Sequence, residues 1–518
     1  MKINVAPGTG RRAAVDLLAI PVFEEELSNR RGASAALTAT DKALRGLLLK
    51  SAVREGFKAK PDQTWTFHTH GKLRAGIAVL LGLGPRAKFD PEILRLAAGR
   101  AARTASKLRM SRAAFAVPAG ERMEELVKAA GEGFVLGAYR FDRYRTANKD
   151  EGASRGLASV HLLLPTNGED RAALRSAVAL AKQVASATNW ARDLVNEPAG
   201  VLTPTRLALE AKRIARDGRM TISVAGRKEI QKLRMGLFLG VAQGSAEEPQ
   251  LIHLVYTPSD PKHGKRPPMA LVGKAITFDS GGLSLKTAEG MVDMKTDMAG
   301  SAAVLGAMQV IAQLRPPFPV HALIGACENM PSGTAYRPGD ILISRLGKTV
   351  EITNTDAEGR LVLGDILAWA NELKPAAIVD LATLTGACVV ALGHYIVGAF
   401  GEDEPLVQSV LEAARGAGEA TWRLPIADSQ KDALRSEVAD MKNSGDRWGA
   451  AINAAIFLRE FVGRTPWVHL DIAGPSVSPK ERGYLGKGAT GVGVRTLVEL
   501  VRRRAADLAK SSPGGDRS

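Results

Sequence analysis

The chain has 518 residues, 45% hydrophobic and 24% charged, which excludes a largely disordered or fibrous protein and, at ~100–200 residues per domain, points to two or three domains. Its 2 cysteines, Cys327 and Cys388, exclude a disulfide framework and a cysteine-based zinc module, fit a reducing, cytoplasmic setting, and leave any metal site to other ligands. The formal net charge is +16, and residues 1–150 hold 27 Lys+Arg against 15 Asp+Glu, or +12; this makes nucleic acid a candidate partner of the N-terminal part, with a basic, solvated face as the plainer alternative.

The first residues lack the apolar stretch of a secretory signal and read as mature protein. Short apolar, β-branched runs at 15–23, 76–83 and 160–164 predict buried strands, and the pattern over 91–108 predicts a helix between them. Residues 1–165 are therefore expected to form a small, basic α/β domain with a regulatory or assembly role. A polar turn cluster at 165–170 leads into a helical pattern over 171–194, the connection expected across 166–200. From 201 to 510 strands at 251–256, 269–272, 320–326 and 377–381 again alternate with helices. The expected fold is thus α/β in two domains, the larger C-terminal one built on a central, mainly parallel or mixed sheet flanked by helices. Ligand sites in such sheets lie at the carboxyl ends of strands. Residues 381–401 carry no charge, but Thr383, Thr385, Gly386, Gly393, His394 and Gly398 interrupt them. They read as a buried strand and a glycine-rich loop, and no membrane partner is expected. The Ser/Gly/Pro-rich tail 511–518 is expected to fray.

The most informative segment follows the strand at 269–272. It places Lys274 and Lys286 around Asp279, with Gly281 and Gly282 giving freedom for a tight loop, and Asp297 opens the next helical pattern. The second segment, Asn354-Thr-Asp-Ala-Glu-Gly-Arg360, precedes a helical pattern that stops at Pro375. If it is extended, Asp356, Glu358 and Arg360 point to one side. Four carboxylates gathered in one place repel one another unless cations lie among them. Two divalent metals resolve this: a water between them loses a proton and becomes the nucleophile, and the attacked carbonyl is polarised. One aspartate suits a bridging role. A lysine beside two dications has its pKa driven down and can ligate as a neutral amine, whereas a second, charged lysine can stabilise an oxyanion.

With these motifs the sequence resembles the leucine aminopeptidases of the two-metal cytosolic type. Asn354-Thr-Asp-Ala-Glu-Gly-Arg360 is that family's signature, and Lys274-Ala-Ile-Thr-Phe-Asp-Ser-Gly-Gly282 is nearly its second. Further matches are Asp193-Leu-Val-Asn196, Glu328-Asn-Met-Pro331, Leu381-Ala-Thr-Leu-Thr-Gly-Ala387, His469-Leu-Asp-Ile-Ala-Gly474 and Thr490-Gly-Val-Gly-Val-Arg495. The resemblance implies a metal-dependent leucyl aminopeptidase acting on peptides with leucine or other neutral N-terminal residues. It implies that Asp279 and Glu358 bridge two divalent ions (Mn2+ or Zn2+, with Co2+ a further candidate), that Lys274 and Asp297 complete the tighter metal, and that Asp356 completes the exchangeable one. Lys286 would polarise the scissile carbonyl, Arg360 would position a bicarbonate acting as general base, and the substrate's α-amine would bind one metal and Asp297. Assembly as a homohexamer in the cytoplasm is implied in the same way.

Other chemistries find less support. No His-Glu-x-x-His helix and no Gly-x-x-x-x-Gly-Lys-Ser/Thr loop is present. A two-metal phosphoesterase would fit the acids but not a ligating lysine. His469 in an apolar strand reads as structural, Cys327 and Cys388 as inert core thiols, and Thr383 as a residue of either the cleft or a core turn.

Overall fold

The computed structural model describes residues 1–11, 13–28, 32–146, 156–165 and 170–510. The turn cluster expected at 165–170 falls mostly on 166–169 and the expected tail on 511–518, both outside the described residues. Two compact units emerge, Met1–Ser186 with Lys480–Lys487, and Ala187–Pro479 with the chain from Gly488 onward.

In the first unit the apolar runs become strands because both of their faces can be buried. Leu17 and Ala19 of one strand join a core layer with Val79, Leu81 and Phe115, while Leu18, Ile20 and Val22 join a second layer with Leu48, Ala78 and Leu80. A continuous hydrophobic run, rather than an alternating one, is what such a two-faced strand requires. The strands are β1 (Lys2–Pro7), β2 (Leu17–Phe23), β3 (Thr64–His68), β4 (Ile77–Gly84), β5 (Arg112–Ala116) and β6 (Ser159–Leu164). They form one sheet in the order β1-β6-β5-β2-β4-β3, parallel except for β3, which runs antiparallel to β4. The expected helix is Pro91–Lys107, started by Asp90, whose carboxylate accepts from Ile93 N at 2.9 Å, and by Pro91 in the first turn.

The second unit contains β7 (Thr221–Ala225), β8 (Gln250–Tyr256), β9 (Met269–Asp279), β10 (Val320–Asn329), β11 (Ile341–Ile343), β12 (Thr349–Glu351), β13 (Ala377–Ala382), β14 (Val397–Phe400), β15 (Thr421–Arg423), β16 (Met441–Lys442) and β17 (Trp467–Asp471). Eight of these form a mixed sheet in the order β15-β14-β17-β13-β9-β10-β8-β7, in which β17, β13, β9 and β10 are mutually parallel. Helix Gly359–Glu372 packs on β9 and on helix Ala450–Arg459, Leu361, Ile366 and Phe457 sharing one core with Val272 and Ile276, and helix Ala299–Leu314 packs on β9 and β13. The expected α/β class with helix-flanked sheets is the observed one.

Two local expectations need correction. β9 does not stop at 272 but continues to Asp279, because its residues stay buried and pair with β10 as far as Asn329. The stretch after β13 is not a glycine-rich loop. It forms helix Gly386–Leu392, capped by Thr385, whose hydroxyl accepts from Cys388 N, and ended at Gly393 with φ +75°.

Candidate metal centre

The extra length of β9 is what builds the site. Lys274 and Asp279 sit on one strand, both buried, and the chain then reverses through Gly281 (φ +85°) and Gly282 (φ +64°), conformations that favour glycine. The reversal returns Lys286 to Asp279, with Nζ 2.9 Å from Oδ2, and into an ion pair with Asp356. The other Asp279 oxygen accepts from Gly281 N and from Asn329 Nδ2, both at 2.9 Å.

Lys274 reaches the opposite side of the cluster. Its ammonium lies 2.7 Å from Asp297 Oδ1 and 2.9 Å from Glu358 Oε1, and donates to the carbonyl of Thr383 at 2.9 Å. The Thr383 hydroxyl donates to the same Asp297 oxygen at 2.7 Å. Asp297 ends a short 3-10 turn, Met294–Thr296, tied back to β9 through Ile276 N.

The segment carrying Asp356, Glu358 and Arg360 is not extended as the period-two reading expected. Asp356 lies in a turn, Glu358 has φ −77° and ψ −38°, and Arg360 is already in the first turn of helix Gly359–Glu372. The three side chains therefore take separate directions: Asp356 meets Lys286, Glu358 meets Lys274, and Arg360 Nη1 donates to the carbonyl of Asn443 at 2.9 Å. The acids nevertheless converge. Ligand oxygens of Asp279, Asp356 and Glu358 all lie within 4.8 Å of one another.

Burial pushes the carboxyls of Asp297, Asp356 and Glu358 above their ordinary range, and the Asp279 carboxylate adds repulsion in each case. Burial would lower Lys274, but Asp297, Glu358 and Asp279 outweigh it and hold the amine well above the usual lysine range. Asp279 and Asp356 outweigh burial at Lys286 in the same way. Burial brings the Arg360 guanidinium down to about 10, still charged at neutral pH. Four acids thus face two lysines and one arginine, an excess of negative oxygen in a largely dry place.

This donor set fits divalent cations. Three acids share one small volume, and Asp297 Oδ2 is buried without any hydrogen-bond partner, an acceptor left open where desolvation makes an unmet group costly. All seven residues singled out in the sequence lie at this end of the second unit: six join in the ion-paired cluster, and Arg360 stands at its edge. Cys327 and Cys388 are buried, with burial raising both thiols, Cys388 to about 12.

Several contributors escaped the sequence reading. Thr355 links the two acidic loops, its hydroxyl donating to Gly281 O and accepting from Ser284 N, both at 2.7 Å. Asn329 and Tyr336 both donate to the Thr355 carbonyl. Asn443 contacts the segment around Glu358. Thr355 and Asn329 carried a signal, through their places in Asn354-Thr-Asp-Ala-Glu-Gly-Arg360 and Glu328-Asn-Met-Pro331; Tyr336 and Asn443 did not.

Known proteins resemble the chain over most of its length. The catalytic-domain model of the cytosol aminopeptidase family matches residues 189–498, and the N-terminal-domain model of the same family matches residues 19–148. A probable cytosol aminopeptidase of Alkaliphilus metalliredigens (strain QYMF) is 43% identical over 97% of this chain and 99% of its own length. One from Synechococcus sp. (strain JA-3-3Ab) is 46% identical over 91% of this chain and 92% of its own. Among solved structures, a tomato leucine aminopeptidase mutant aligns with a TM-score of 0.87 at 35% identity, covering 97% of this chain and 96% of that one. The bottromycin maturation enzyme BotP in complex with Mn aligns with a TM-score of 0.82 at 36% identity, covering 95% and 100%.

Proposed function

The chain belongs to the cytosol aminopeptidase family, a family of metal-dependent aminopeptidases, and on that premise we propose that it removes neutral N-terminal residues such as leucine from peptides. In this reading Lys274, deprotonated by the field of the dications, and Asp279, Asp297, Asp356 and Glu358 hold two divalent ions, while Lys286 and Arg360 act on the reacting groups. The observation that carries it is the convergence of Asp279, Asp356 and Glu358 within 4.8 Å, with two lysines set among them.

When bound, the two cations supply Lewis acidity, activating water at neutral pH and polarising the carbonyl under attack. The protein's own groups account for the rest. Lys286, the more accessible of the two lysines at 17% side-chain exposure, presents a fixed ammonium to the oxygen of the scissile carbonyl, where negative charge develops. Asp297 Oδ2, buried and unpartnered, suits a place shared by a cation and the substrate's free α-amine, which accounts for restriction to the chain terminus. Arg360 keeps its buried Nε without a partner, a donor suited to an anion such as bicarbonate that accepts the proton of the attacking water. Manganese is supported by the Mn complex of BotP; zinc and cobalt suit the same oxygen-rich donors.

A homohexamer is supported by the family resemblance. A cytoplasmic setting is supported by the relatives' name and by two buried cysteines that form no disulfide. No helix among the described residues is long and apolar enough to cross a membrane. The +12 of residues 1–150 supports nucleic-acid binding as an added property, tested by a gel shift that weakens with salt. The central test is hydrolysis of leucine anilide, abolished by chelation and restored by Mn2+, Zn2+ or Co2+. A metallated protein inactive on every N-terminal residue would overturn the reading.

A further inference from the structure

We propose that Asn443 is a positioning residue that holds the segment carrying Asp356, Glu358 and Arg360 in its ligand-binding shape; this deepens the metal-centre reading and rests on it. The segment from 353 to 358 is neither helix nor strand, so its backbone polar groups lack the partners that regular structure supplies. Asn443 supplies them. It follows β16, whose Met441 and Lys442 pair in parallel with Val350 and Glu351 of β12, and its own N–H extends that ladder to Glu351 O at 2.9 Å. The ladder delivers a fully buried amide side chain beside the segment.

The match is reciprocal. Asn443 Oδ1 accepts from Thr353 N at 2.9 Å, from the Thr353 hydroxyl at 3.2 Å and from Asn354 N at 3.3 Å. Its Nδ2 donates to Asn354 O at 2.7 Å and to Ala357 O at 3.5 Å. Its backbone carbonyl accepts from Arg360 Nη1 at 2.9 Å. One residue therefore ties the start, the middle and the helical end of a stretch in which two acids point at two different lysines. Only a primary amide accepts and donates in this pattern; a carboxylate would set its second oxygen against the Asn354 and Ala357 carbonyls. Partners behind metal ligands fix ligand orientation, and their loss costs about 10–100-fold in metal affinity.

The test uses the full-length protein stripped of metal, with Mn2+ as the probe and bound metal counted after equilibrium dialysis over a range of free concentrations. Asn443→Asp and Asn443→Ser are compared with Asn371→Ala, which removes a hydrogen bond to Thr465 remote from the acids and calibrates ordinary destabilisation. The expected result is a loss of about 10–100-fold in Mn2+ affinity for both Asn443 variants, with kcat lowered and KM nearly unchanged at saturating metal, while Asn371→Ala binds Mn2+ as the parent does. If the Asn443 variants bind Mn2+ with parental affinity, the proposal is overturned and the aminopeptidase reading stands. If they bind it weakly while the parent binds metal but cleaves no N-terminal residue, the positioning role stands and the aminopeptidase reading is overturned.

Discussion

Gly359 and Lys274 touch so closely that a Cβ on Gly359 would lie 2.5 Å from Lys274 Cε and 2.6 Å from its Nζ. The absent side chain at the start of the helix is the space through which the lysine reaches Glu358 and Asp297. Gly359→Ala is therefore expected to displace the amine, at a cost of ~1–3 kcal/mol in overpacking and about 10²-fold in kcat/KM through misplacement of the ligands. Steady-state kinetics at saturating Mn2+, with melting temperatures alongside, check this; near-parental turnover would mean that Lys274 is not a ligand.

Residues that hold the cations and residues that act on substrate should separate under mutation. Asp279→Asn and Glu358→Gln are expected to lose bound metal together with activity, because each removes a charge from the shared oxygen cluster. Lys286→Ala and Arg360→Ala are expected to keep their metal and lose turnover, by about 10²–10³ for Lys286 if it stabilises the developing oxyanion. Metal analysis of purified variants decides the matter, and a Lys286→Ala protein with parental kcat contradicts the assigned role.

Metal removal should register in stability as well as in activity. Burial first, and then repulsion from neighbouring carboxylates, raises the carboxyls of Asp297, Asp356 and Glu358. Cations binding the folded chain at about 100 times their Kd are expected to add ~2.7 kcal/mol. Thermal melts of chelated protein with and without added Mn2+ should show a rise that saturates with concentration. A melting point indifferent to Mn2+ speaks against a folded-state site.

A separate pH dependence is expected behind the site. His469 Nδ1 and Asp380 Oδ1 lie 2.6 Å apart with both side chains buried, and Trp467 Nε1 donates to the second Asp380 oxygen at 2.6 Å. Burial would lower the imidazole, but Asp380 outweighs it and raises the folded pKa above the ordinary 6.5. A raised histidine stabilises fully below the unfolded pKa, and that contribution disappears as pH rises through the folded value. The melting temperature should accordingly fall on the alkaline side, with a shallower fall in His469→Gln. Parallel pH profiles for the two proteins would show that the pair does not titrate as described.

The sequence alone determined most of the fold and the identity of the acids and lysines. Strands such as β2 and β4 are apolar on both faces, and that pattern has few solutions other than a sandwiched sheet. Lys274, Asp279, Lys286, Asp356 and Glu358 were legible because they stand in two short, glycine-punctuated segments that gather charged side chains. Tertiary structure decided how these groups meet. The period-two pattern predicts an extended Asp356–Arg360 segment, whereas the folded chain turns it, and Asn443, just after β16 and about 85 residues away, hydrogen-bonds to its backbone. Asn329 enters through the pairing of β10 with β9, and Thr383 through the end of β13. A polar side chain acquires such a role only from the partner that distant pairing brings to it, and neither local propensity nor hydrophobic period encodes that partner.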